Sequence, residues 1–261
     1  MNHAEHCLNC NYETIGKFCH TCGQKTDTHR ITAKHFFMHD LLHGVWHIEK
    51  GILFTIKQAF LRPGVAALEY IEGKRVKYYN VFYLILVIIG LTILVNNVYD
   101  TMLFEYFNIK QLSSTSAQAK DIDKFITDYA KLIIYAFVPL FAFNSFVLFK
   151  RKKLNFSEHL IIAGMIFLGV IFINFLFELL YFTDFLNYVD GLSSTLYILT
   201  PTIILIYVTV NYYRTFQKEY SALTTVFKVL LFIFLLLLEI VTIVILAVGI
   251  YTKGSFTLIY R

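Results

Sequence analysis

Proline is nearly missing from this chain, with 3 residues in 261. Charged side chains make up only 16%, against ~25% in an average soluble domain. Cysteine does not recur after residue 22. These scarcities exclude a collagenous or proline-rich chain, a charge-rich disordered one, and a disulfide framework spread along the sequence. No glycine-rich phosphate loop, nucleophile elbow or Glu-flanked zincin motif is present either. What the chain has in abundance is apolar: 57% hydrophobic residues, 26 Phe and 18 Tyr. Its mean hydropathy is +0.60. That composition describes an integral membrane protein.

A helix crossing ~30 Å of hydrocarbon needs ~20 mostly apolar residues. Five stretches qualify: Val81–Tyr99, Leu132–Phe149, His159–Phe182, Leu196–Tyr213 and Val226–Tyr251. The second and fourth contain Pro139 and Pro201, where kinks are expected rather than ends. Counting Lys and Arg by alternate sides gives 17 on the side of the N-terminus and 6 on the other. The positive-inside rule then predicts a cytoplasmic N-terminus, an exterior C-terminus and a long exterior loop over 100–131.

The expected fold is all-α in the membrane, about five transmembrane helices, with a small cytoplasmic ribbon and amphipathic juxtamembrane helices. Residues 1–29 form the ribbon, 30–79 the juxtamembrane region and 80–261 the membrane domain. The first 79 residues hold all 4 Cys and 8 of the 9 His.

The cysteines are Cys7, Cys10, Cys19 and Cys22, two Cys-x2-Cys pairs close in sequence. Such spacing reads as metal ligation. A tetrahedral zinc ion takes four thiolates at ~2.3 Å and leaves no open position, so the expected cofactor, zinc, is structural. A redox dithiol or an iron site is the rival, and two motifs within 16 residues favour zinc. Asn11 to Phe18 is long enough for a tight β-hairpin with Gly16 at a positive φ, and Gly23 suits a knuckle turn.

His35, His39, His43 and His47 recur every four residues beside Asp40. At ~100° per residue they cover ~120° of one helix face. Three readings stand: an interfacial helix with a histidine-lined polar side, a second metal site, and a pH sensor. Further on, Arg62, Lys74, Arg75 and Lys77 suit anionic headgroups or ordinary juxtamembrane anchoring. Inside the spans lie Asn174, Glu178 and Glu239, each readable as a relay or substrate contact, or as an interhelical hydrogen bond.

One combination of residues is distinctive. Cys7, Cys10, Cys19, Cys22, Gly23 and Gln24 are followed by Thr55, then Arg62-Pro63-Gly64, then Tyr70, Gly73, Lys74 and Arg75. Over about residues 7–85 this resembles a family of small bacterial zinc-ribbon membrane proteins, common in Bacteroidota and catalogued as a domain of unknown function. The resemblance implies a bacterial inner-membrane location and no particular activity.

The leading expectation is a non-enzymatic adaptor or regulatory protein, whose ribbon binds a cytosolic or membrane protein partner. A transporter or lipid-handling protein using Glu178 and Glu239 is the alternative, and five spans would then call for a homo-oligomer. A metal-dependent enzyme using the His stripe is the third. The lipid bilayer is a partner in each case. Nucleic acid is not an expected one, because the head lacks a dense basic patch interleaved with aromatics.

Overall fold

The structure, a computed structural model, describes residues 6–26, 30–31, 51–107, 136–185 and 192–251. Among these the regular secondary structure is helical, and the ribbon holds turns and two isolated bridges, His6 with Glu13 and Phe18 with Lys25. The helices are α1 (Ile52–Leu61), α2 (Pro63–Ile71), α3 (Val81–Phe107), α4 (Ala136–Leu148), α5 (Phe156–Tyr181), α6 (Leu192–Phe216) and α7 (Ala222–Tyr251). Four of them, α3, α5, α6 and α7, are long and apolar enough to cross a membrane. The fifth expected span is described only from residue 136, as the shorter apolar helix α4. The count of five therefore goes beyond what the described residues show.

Local chemistry sets the helix ends. Arg62 leaves the helical region at φ −151°, as a residue before proline must, and ends α1. Pro63 then takes the first position of α2, where a missing N–H costs nothing. Arg62-Pro63 thus ends one helix and starts the next. α2 closes in a Schellman turn. Lys74 N–H donates to the Glu69 carbonyl and Gly73 N–H to that of Tyr70, with Gly73 at φ +104°. Asn80 caps α3 by accepting from the N–H groups of Phe82 and Tyr83. Asn155 and Glu158 form a full capping box at the start of α5. Helix α6 runs on through Pro201.

Helix α5 is the centre of the bundle: every residue from Ser157 to Gly169 is buried. It packs against α1, α2, α3 and α6. In lipid, helices gain by close approach of small residues more than by hydrophobic exclusion. Two contacts follow that rule. A Cβ at Gly169 would collide with the Tyr207 hydroxyl on α6, and one at Gly64 on α2 would collide with Thr215. A third layer is aromatic. Phe149 stacks on Phe216 at 4.1 Å, and Phe141 of α4 meets Phe167, Tyr212 and Phe232 edge-on.

The juxtamembrane pair is thus held within the bundle. Ala59, Ala66 and Ala67 are fully buried, and Tyr207 donates a hydrogen bond to the Ala59 carbonyl.

Candidate metal centre and membrane cavity

The four cysteine sulfurs lie within 4.8 Å of one another. Cys7 Sγ is 3.6 Å from Cys22 Sγ, and Cys10 Sγ is 3.5 Å from Cys19 Sγ. A tetrahedral ion with ~2.3 Å bonds to sulfur would set its ligands about 3.8 Å apart, so the donor set fits one. Two matching turns bring the sulfurs in. Asn11 N–H donates to the Cys7 carbonyl, and Gly23 N–H to that of Cys19, both at 2.8 Å. Asn11 (φ +59°) and Gly23 (φ +74°) take the left-handed position just after each pair. Gly23 does what the sequence suggested. Gly16 does not: the positive φ falls on Asn11, because each bridge closes around one knuckle rather than between the two. Backbone N–H groups of Cys22 and Thr21 favour the thiolate of Cys19, lowering its pKa to about 6.

The ribbon is seated on the membrane domain. Gln24 donates to the Gly73 carbonyl at 2.8 Å and accepts from Val76 N–H at 2.9 Å. Leu8 covers Gly73 so closely that a Cβ there would meet its Cδ1 at 2.6 Å. Arg30 makes a two-pronged pair with Glu158, at 2.8 and 2.7 Å, and also donates to the Lys153 carbonyl. Asn155 donates to the Ile31 carbonyl. Spacing in the sequence gave no signal for these contacts.

The basic residues expected at headgroups all have partners within the chain. Arg62 bonds Gln58 and lies 3.3 Å from Glu69. Lys77 is 2.6 Å from Glu69 and over the rings of Phe54 and Tyr78. Arg75 lies over Tyr70, and Lys74 is 3.7 Å from Glu72. Burial opposes the charge on Glu69. Hydrogen bonds from Lys77 and Tyr78 outweigh it and hold that carboxyl below its ordinary range. Thr55, fully buried, accepts from Tyr79 N–H at 2.7 Å.

His35, His39, Asp40, His43 and His47 lie outside the described residues.

Both intramembrane carboxylates are hydrogen-bonded. Glu239 accepts from Asn144 of α4 at 2.9 Å, an interhelical bond. Glu178 accepts from Asn174, one turn earlier, at 2.6 Å. Its other oxygen is buried with no hydrogen-bond partner among the described residues. Glu178, Asn174 and Asn96 line one cavity of about 880 Å³ together with Phe137, Phe141 and Pro201. Most of its wall is apolar, the pattern of a small-molecule site. A separate buried group joins Ser145 and His159, whose Oγ and Nδ1 share a bond of 2.8 Å.

No curated protein and no solved structure matches the chain. One family does match: residues 49–92, the segment that carries Thr55, Arg62, Gly73 and the start of α3, fit the model of a family described as a protein of unknown function (DUF3667).

Proposed function

We propose that this chain is a multi-pass protein of a bacterial inner membrane that binds an amphiphile inside its helical bundle. The cavity beside Glu178 carries the reading. Its carboxylate and the carboxamides of Asn96 and Asn174 offer acceptors to an amine or hydroxyl head. The Phe137, Phe141 and Phe167 walls offer the apolar surface for a tail. Four thiolates at tetrahedral spacing support zinc in the ribbon, on the cytoplasmic side by the distribution of basic residues. There zinc would be a scaffold holding the seat at Gly73, not a catalyst.

The test is extraction and mass spectrometry of whatever stays bound to purified protein. A stoichiometric amphiphile in the parent, reduced at least tenfold in Glu178→Gln and in the cavity-filling Val170→Trp, is the expected result. Equal amounts in all three folded proteins would overturn it.

A second reading, the adaptor, draws support from the ribbon loop. Tyr12, Ile15 and Phe18 are 53%, 94% and 62% exposed. Exposed apolar clusters of this kind mark contact surfaces. Ile15→Asp with Phe18→Asp should abolish capture of a partner protein while leaving the metal content intact. Unchanged capture would remove this reading.

A further inference from the structure

A further surface feature lies toward the C-terminal end of α6. Two apolar grooves, of about 440 and 290 Å³, run along this helix on either side of one ridge. Val210 and Arg214, one helical turn apart, belong to both. Phe60, Leu61, Ile173 and Phe177 also line the first groove. Tyr213, Val226, Val229 and Leu230 are among those that line the second. The grooves thus share Val210 and Arg214, and the rest of their walls is mostly apolar.

Arg214 is exposed there, and its guanidinium has no hydrogen-bond or ion-pair partner among the described residues. Lys77 and Lys152, by contrast, are each paired with a glutamate, and Arg30 with Glu158. An arginine without a partner at the edge of an apolar surface is matched to a phosphate, which it binds with two parallel N–H bonds. Gln217, on the same end of the second groove, donates to the Arg214 carbonyl at 3.5 Å.

We propose that this ridge is a binding site for one anionic diacyl phospholipid. Its phosphate sits on Arg214 and one acyl chain lies in each groove, straddling Val210. The site is separate from the cavity beside Glu178, with which it shares no lining residue. Both features of the ligand are required. A single-chain lipid fills one groove only, and a zwitterionic lipid brings its own cation to the phosphate.

The experiment is native mass spectrometry of delipidated full-length protein with four probes: dioleoyl phosphatidylglycerol, dioleoyl phosphatidylcholine, the single-chain lyso form of the first, and inorganic phosphate. The parent protein should retain phosphatidylglycerol at least tenfold more than the choline and lyso lipids. Millimolar phosphate should not displace it. Arg214→Gln should lose that preference, and Arg214→Lys should keep part of it. Equal retention of the two diacyl lipids, or of the diacyl and lyso forms, would overturn the proposal. So would displacement by phosphate, which would reduce the site to a simple anion contact. The lipid comparison is made on the parent, so it decides the matter even if a variant fails to fold. Loss of the Glu178 ligand with this preference intact would show that the two sites fail independently.

Discussion

Gln24 holds the turn at Gly73 by donating to its carbonyl at 2.8 Å, while its own side-chain oxygen takes the Val76 N–H. Gln24 is 3% exposed, so its bond to the buried Gly73 carbonyl is shielded from water. Gln24→Ala therefore leaves the buried Gly73 carbonyl without its donor, at ~1–3 kcal/mol, and frees the Val76 N–H, which borders solvent. The expected outcome is a lower melting temperature and faster loss of metal to a chelator. A melting curve and a chelation time course on parent and variant check both. Unchanged values would mean that the seat is not occupied in solution.

The ribbon itself should carry one metal ion per chain. Elemental analysis of the parent should give about one zinc, and the variant with all four cysteines changed to serine should give none. Metal persisting in the folded variant would place a second site elsewhere and bring the His35–His47 stripe to the front.

Close helix contacts at Gly64 and Gly169 leave no room for a methyl group. Gly64→Ala must push Thr215 and the backbone of α2 apart, and Gly169→Ala must push away the Tyr207 hydroxyl. Overpacking of this sort costs ~1–3 kcal/mol. Thermal unfolding in detergent should show both variants destabilised, with Gly90→Ala, whose added Cβ meets nothing within 4 Å, as the neutral control.

Glu69 predicts a pH dependence. Its folded-state pKa lies below the ordinary value of 4.5, so its contribution is full above that pH. That contribution is lost as pH falls through the lower folded value. Glu69→Gln should therefore be less stable than the parent at pH 7, and the gap should close on acidification below about 4.5. A gap independent of pH would point to packing rather than charge.

Breaking the Arg30 pair is the fifth test. Glu158 is 3% exposed and takes both prongs of the guanidinium, whose own side chain is largely in solvent. Arg30→Gln should lower the melting temperature, because it strips the buried Glu158 carboxylate of both guanidinium bonds. Proteolysis between the ribbon and α1 should quicken in the variant.

The parts legible in the sequence were those written in short-range patterns. Two residues between cysteines, and runs of ~20 apolar residues, each encode their structure locally. The ribbon cluster and four long apolar helices were found that way. The seat of the ribbon was not, because Gln24 and Gly73 are 49 positions apart and Arg30 and Glu158 are 128 apart. No periodicity links such pairs. The start of α2 is hidden for another reason: a proline such as Pro63 signals both a stop and a start. Asn11 was missed because asparagine at a positive φ is less conspicuous than glycine.

The seat of α1 and α2 also bears on the order in which the chain is built. The Ala59 carbonyl is bonded by Tyr207, 148 residues later, and Gly64 nests on Thr215 of the same late helix. During synthesis the juxtamembrane pair emerges long before α5 and α6 exist to receive it. It must wait at the membrane surface, with its buried alanines uncovered, until those helices are inserted. At this face a segment made early is among the last to be fixed, and a chain interrupted after α3 would present the 51–79 stretch without the α5 and α6 surfaces that receive it.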